Sequence, residues 1–145
     1  MPYVNVYIHF VWSTKNRAPL FHTQEIRKKI WNHIVANAKS KGIFIDFING
    51  YSDHCHCLIS LGVDQTIQKV MQLIKGESSF WINKQNLIPT KFEWQDEYFA
   101  ISISKSDIEH VRAYIGNQEV HHLKKTFKEE YDELMRSFNA SLYKD

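Results

Sequence analysis

The stretch Ile43-Phe-Ile-Asp-Phe-Ile-Asn-Gly-Tyr-Ser-Asp-His-Cys-His-Cys-Leu-Ile-Ser-Leu61 decides the fold. Ile43 to Tyr51 and Cys55 to Leu61 are short β-prone runs separated by Ser52-Asp53-His54, which reads as a hairpin with His54 at the start of its second strand. Gly62 then breaks the run. Upstream, Ile26, Ile30, Ile34 and Ala38, joined by Trp31 and Val35, recur at helical spacing between Gln24 and Lys41. Thr23 stands where an N-cap belongs and Gly42 where a glycine would end that helix. Downstream, Asp64 to Asn83 repeats the pattern with Ile67, Val70, Met71, Ile74 and Phe80-Trp81 on its apolar side, and Leu87 to Glu93 reads as a loop.

At the outer ends, Tyr3 to Ser13 is rich in aromatic and β-branched residues and predicts a first strand, followed by a Lys15-Asn16-Arg17 turn. Tyr98 to Ser104 predicts the last strand, and Ser106 or Asp107 caps a helix carrying Ile108, Val111, Ile115 and Val120. Thr126 to Phe138 reads as a charged terminal helix. The order β-α-β-β-α-β followed by helices predicts an α+β, ferredoxin-like (RRM-like) antiparallel sheet with helices on one face and extra C-terminal helices. Residues 1–145 are expected to form a single domain, with a core over about 3–130 and a helical tail over about 126–145.

A length of 145 residues suits one domain with a core of its own, and 43% hydrophobic with 14% aromatic residues excludes a disordered chain. Eighteen Lys plus Arg against 16 Asp plus Glu leave a formal charge of +2, which permits a nucleic-acid partner without arguing for one. Cys55 and Cys57 are two residues apart on one strand face, awkward for a disulfide, so they are expected to be reduced in a cytoplasmic protein. The N-terminus lacks a basic region with a cleavage site, and no long apolar run predicts a membrane span.

Few residues are equipped for chemistry. In Asp53-His54-Cys55-His56-Cys57-Leu58, strand alternation puts both imidazoles on one face and both thiols on the other. His54 and His56 are therefore candidate convergent metal ligands, while a four-ligand His-Cys-His-Cys zinc site is excluded because opposite faces cannot converge on one ion. Alone, a His-x-His pair is more often a pair of surface or hydrogen-bonded histidines. In Tyr114-Ile115-Gly116-Asn117-Gln118, Tyr114 and Gln118 are four apart and share a helix face, while Ile108, Val111 and Ile115 anchor a different one. Alone, that pair suits a tyrosine packed at a domain edge beside a solvated glutamine.

Taken together, Asp53 to Leu58, Ile74-Lys75-Gly76 with Ser78-Ser79, Trp94 to Ala100, and Tyr114 to Gln118 with His121-His122 resemble the single-tyrosine HUH transposases of bacterial insertion sequences. This is the IS200-like family, which includes the REP-associated tyrosine transposases, and the resemblance runs from about Tyr3 to Glu130. It implies a homodimeric enzyme that binds a DNA hairpin and cuts and rejoins single-stranded DNA beside it through a 5′-phosphotyrosine. Carried over by position, Tyr114 is the nucleophile, and His54, His56 and Gln118 hold the metal. The family's bulky apolar residue between the histidines is Cys55 here, a small apolar replacement. The resemblance also implies that His54 and His56 of one protomer work with Tyr114 of the other, and Gly116 loosens the nucleophile helix.

Two imidazoles with amide and water oxygens suit Mg²⁺ or Mn²⁺. No nucleotide cofactor is required, because a phosphotyrosine keeps the energy of the phosphodiester. Lys15, Arg17, Lys75, Arg112, Lys124 and Lys125 are candidate phosphate contacts, though such residues are more often solvated charges. His9, His121 and His122 are candidates to touch the site, or else hydrogen-bonded histidines. Two other classes fit less of the sequence: a binding module that stacks bases on Tyr3, Tyr7, Phe10 and Trp12, and a hydrolytic metallonuclease that does not need Tyr114.

Overall fold

The computed structural model describes residues 2–142, with side chains described through residue 136. Its elements are β1 (Val6–Thr14), α1 (Gln24–Ser40), β2 (Phe44–Gly50), β3 (His54–Leu61), α2 (Ile67–Lys84), β4 (Trp94–Ile103), α3 (Ile108–Gly116), α4 (Gln118–His121) and α5 (Phe127–Leu142). The strands form one antiparallel sheet in the order β2-β3-β1-β4, the ferredoxin-like arrangement expected from the element order. No helix among the described residues is long and apolar enough to cross a membrane.

Each side of the sheet has its own cover. Ile8, Phe10 and Trp12 of β1 and Cys55, Cys57 and Ile59 of β3 join Ile30, Trp31 and Ile34 of α1 and Val70, Met71 and Ile74 of α2 in the main core. On the opposite side, Leu58 packs with Ile108, Val111 and Ile115 of α3, and Val11 and Phe99 pack with Phe127 of α5. The stacking platform weighed above is therefore not available. Phe10 and Trp12 are 0% and 2% exposed beneath α1 and α2, and strand alternation turns Tyr7 the other way.

Local chemistry sets the boundaries. The Thr23 side chain accepts from Ile26 N and starts α1, and Gly42, at φ +74, follows its end in the left-handed region. Thr66, whose side chain accepts from Lys69 N, caps α2. That helix begins later than Asp64 because Gln65 is engaged in the turn, binding Gly62 N and Gly42 O. β4 begins at Trp94 rather than Tyr98, since Trp94 pairs with Thr14 across an irregularity in β1. Gln95, Asp96 and Glu97 hide it in the sequence because this end of the edge strand is exposed on successive residues, Asp96 to Tyr98, and shows no apolar alternation. Tyr114 and Gln118 do not share one helix: α3 stops at Gly116, Asn117 forms a corner, and Gln118 opens α4. Gly and Asn are poor helix formers, which explains the break. The charged tail folds back, its Tyr131, Leu134 and Met135 lying against Val11 and Phe99; residues 143–145 of the expected tail lie outside the described residues.

Gly50, at the end of β2, has no room for a side chain: a Cβ there would lie 2.2 Å from the His54 carbonyl oxygen and 2.9 Å from Trp31 Cζ2. Gly50→Ala is expected to cost at least about 2 kcal/mol because the hairpin backbone must shift. Gly76→Ala, in the exposed middle of α2 with nothing within 4 Å, is expected to gain roughly 0.5–1 kcal/mol. Urea unfolding of the two variants checks the pair, and a Gly50→Ala protein as stable as wild type would refute the steric argument.

Candidate active site

β3 presents His54 and His56 to the side of the sheet covered by α3, α4 and α5, and both are fully buried. Cys55 and Cys57 point into the other core as free thiols whose pKa is pushed up by burial, which leaves them chemically quiet. Each imidazole is oriented through Nδ1. His54 Nδ1 donates to Asp53 Oδ1 at 2.8 Å, and His56 Nδ1 pairs with His9 Nε2 of β1 at 2.9 Å. Such outer contacts fix tautomer and ring direction, leaving Nε2 for a ligand.

The Nε2 atoms converge with groups from three helices. Gln118 Oε1 is 3.0 Å from His54 Nε2 and 3.0 Å from His122 Nε2. Glu130, carried by α5 and 1% exposed, places Oε1 3.0 Å from His56 Nε2 and 3.3 Å from both His54 Nε2 and His122 Nε2. Its Oε2 accepts from the Tyr114 hydroxyl and from Gln118 Nε2, and lies 3.3 Å from His121 Nε2. Phe127 lies flat against the His54 ring at 4.0 Å. Tyr114, His54, His56 and Gln118, chosen from the sequence, thus meet within one chain, so a second protomer is not needed to bring them together.

The donor set fits a divalent cation. His122 Nδ1 donates to the Lys125 carbonyl at 2.6 Å, and His54 Nδ1 is committed to Asp53. In the neutral rings both Nε2 lone pairs therefore face Gln118 Oε1 and Glu130 Oε1. Acceptors turned on one another in a buried space repel unless a positive charge lies between them. His54, His122 and Glu130 supply ligand atoms that all lie within 4.8 Å of one another, and His56 joins this ring through Glu130.

A family model described as Transposase IS200 like matches residues 2–118. The chain belongs to the IS200-like transposase family. The transposase is similar in fold to a solved REP-associated tyrosine transposase bound to a REP hairpin (TM-score 0.62, 20% identity, covering 84% of this chain and 72% of that one). It is similar to the same degree to a candidate transposase from Deinococcus radiodurans R1 (TM-score 0.61, 21% identity, covering 81% and 95%). No curated protein matches the chain. Glu130 lies outside the stretch that the family model covers.

Burial and charge tune the groups of the transposase in opposite directions. Burial lowers His9 to about 3, helped by the charge of His56, and lowers His56 to about 4 against the opposing hydrogen bond and charge of Glu130. Burial also acts on His54, but hydrogen bonds to Asp53 and Glu130 and their charges outweigh it and raise its pKa. Burial, followed by the hydrogen bond to Glu130, lifts the Tyr114 phenol well above its ordinary value. Glu130 is held far below the usual carboxylate range: burial works against this, but hydrogen bonds from His122, His54 and His56 prevail. In the cation-free protein Tyr114 is therefore a neutral phenol beside a fixed carboxylate.

Of the basic candidates, Lys124 and Lys125 line a cleft of about 540 Å³ together with Tyr114, Asn117, Val120 and His121. The Arg17 guanidinium sits over the rings of Tyr131 at 4.6 Å and Phe127 at 5.7 Å. Lys15 pairs with Glu93, Lys75 donates to the carbonyls of Gln95 and Asp96, and Arg112 forks onto Asp46. These three are not among the residues that line the Tyr114 cleft. Sequence reasoning gave no role to Glu130 or Asp53 and left His9 and His122 open.

The shifts fix a pH dependence. Below about pH 6.5 an unfolded histidine takes up a proton that folded His9 and His56 refuse until about pH 3 and about pH 4. Stability of the metal-free protein therefore falls as pH drops from 6.5, by roughly 1.4 kcal/mol per unit for each ring. His54, raised, adds no slope there because it is protonated in both states; its contribution is lost above pH 6.5 instead. Urea unfolding in EDTA at pH 6.5, 5.5 and 4.5 should show a steep loss for wild type and a shallower one for His9→Asn, in which His56 and His121 still resist protonation. Parallel slopes would contradict the assignment.

Proposed function

We propose that this transposase cuts and rejoins single-stranded DNA beside a hairpin, with Tyr114 as nucleophile and a divalent ion, Mg²⁺ or Mn²⁺, held by His54, His56 and Gln118. The observation that carries the reading is the meeting of the Tyr114 hydroxyl with both imidazoles and the Gln118 amide around one buried carboxylate. When bound, the ion supplies Lewis-acid polarisation of the phosphate and charge stabilisation for the departing 3′ oxygen. Tyr114 Oη forms the new bond to phosphorus as the bond to the 3′ oxygen breaks, giving a 5′-phosphotyrosine and a free 3′-hydroxyl. Glu130 Oε2 accepts from the Tyr114 hydroxyl and orients it for attack; the phenolic proton is released as the bond to phosphorus forms, and the departing 3′ oxygen takes up a proton in exchange. A second 3′ end then reverses the step, with no external energy source.

The cleft lined by Tyr114, Lys124 and Lys125 offers the strand an approach with cations for its backbone. His54, His56 and Gln118 are fully buried, whereas Tyr114, which lines the cleft, is only partly so. Hairpin recognition supports itself on the fold shared with the hairpin-bound REP-associated transposase. A homodimer belongs to the same proposal as a device for holding two DNA ends.

Incubation with labelled single-stranded hairpin DNA from the flanks of the gene and Mn²⁺ or Mg²⁺, followed by a denaturing gel, tests this directly. Wild type should form a covalent adduct that EDTA abolishes, and Tyr114→Phe and His56→Ala should each lose it by at least about 10³-fold. Cleavage without an adduct that persists in Tyr114→Phe would make the protein a hydrolytic nuclease. Tight metal-independent binding without cleavage would make it a binding module.

A further inference from the structure

Glu130 is a costly residue for its position. Phe127, Tyr131, Leu134 and Met135 already give α5 an apolar stripe against Val11 and Phe99, and a carboxylate buried to 1% on that helix needs cationic partners to repay its desolvation. Its surroundings are the metal-facing atoms themselves. Oε1 stands 3.0 Å from His56 Nε2 and 3.3 Å from His54 Nε2, and His54 Nε2 is 3.0 Å from Gln118 Oε1. Neighbouring ligands on an octahedral ion with bonds of about 2.1 Å lie about 3.0 Å apart. The separations seen are short enough for atoms sharing one coordination shell, and Glu130 belongs with His54 and His122 to a set of ligand atoms that all lie within 4.8 Å of one another. Oε2 is turned away, to the Tyr114 hydroxyl and Gln118 Nε2.

We propose that Glu130 is a direct carboxylate ligand of the divalent ion, added to His54, His56 and Gln118, so that the ion latches α5 onto the sheet. The inference rests on the metal reading proposed above and deepens it. A hard, charged oxygen in a set of neutral imidazoles and an amide shifts the site towards Mg²⁺ and Mn²⁺. It also lowers the charge of the filled site from two to one. Through Oε2 the same carboxylate positions the nucleophile beside the ion, joining metal and tyrosine through a single side chain.

The test is calorimetric titration of the full chain, stripped of metal and without DNA, with MnCl₂, alongside amide hydrogen exchange of α5 with and without Mn²⁺. Glu130→Gln keeps the shape and removes the charge, Glu130→Ala removes the ligand, and circular dichroism in EDTA establishes that each is folded. Both are expected to bind Mn²⁺ at least about tenfold more weakly than wild type. Mn²⁺ should slow exchange across residues 127–136 in wild type but not in the variants. Should Glu130→Ala fail to fold, Glu130→Gln decides alone. If the folded variants bind Mn²⁺ as tightly as wild type and α5 exchange ignores the metal while His56→Ala loses binding, the latch is wrong and the metal site stands. If wild type binds neither Mn²⁺ nor Mg²⁺, the metal site and the latch fall together.

Discussion

The two-residue alternation of β3 is the constraint on which the rest depends. It sends Cys55 and Cys57 under α1 and α2 to close an apolar core, and His54 and His56 to the opposite side, where α3, α4 and α5 must then cover polar atoms. A slip of one residue in the pairing of β3 with β1 or β2 would exchange the two sets, leaving imidazoles in the core and thiols at the site. Across the β1–β3 pair, the contact of His56 Nδ1 with His9 Nε2 belongs to the native register.

Once two imidazoles face a covered surface, the cover must be polar as well. Gln118, His122 and Glu130 answer that demand, and their mutual contacts form a network in which Gln118 and Glu130 are almost wholly buried. A part-buried ion pair acts at one remove: Arg27 of α1 donates to Glu119 and to the Phe21 carbonyl, tying α4 to the other layer of the molecule. Gln118 is thereby placed by its neighbour in sequence. Across the break at Asn117, Tyr114 and Gln118 stay linked, since Gln118 Nε2 donates to the Tyr114 carbonyl at 3.4 Å.

The sequence made the central layer plain because its signals are local. Alternation in β3, caps at Thr23 and the glycine at 42 depend on residues a few positions apart, and Tyr114 could be singled out because its helix has a separate apolar face. Trp94 to Glu97 was hidden because the start of this edge strand is exposed on successive residues and carries charges that resemble a loop. Glu130 was hidden for a related reason. Lys128, Glu129, Asp132 and Glu133 surround it in sequence, and among them one more acid gives no sign of burial; only its place on the stripe with Phe127, Tyr131 and Leu134 sets it apart. The roles of His9 and His122 depend on contacts 47 and 4 residues away, and neither partner can be read before the sheet order and the α4 corner are known.

The position of Glu130 on α5 has a consequence for how the molecule comes into being. During synthesis the sheet, both core helices and the tyrosine leave the ribosome before α5 does. Until Glu130 follows, His54, His56 and the Tyr114 hydroxyl belong to a nascent chain whose polar pocket lies open to water, with neither the carboxylate that orients the phenol nor the helix that excludes solvent. The order of translation thus separates the emergence of the sheet from the arrival of its last buried acid, and a chain released before α5 would lack both the acceptor of the Tyr114 hydroxyl and the Phe127 packing on Val11 and Phe99.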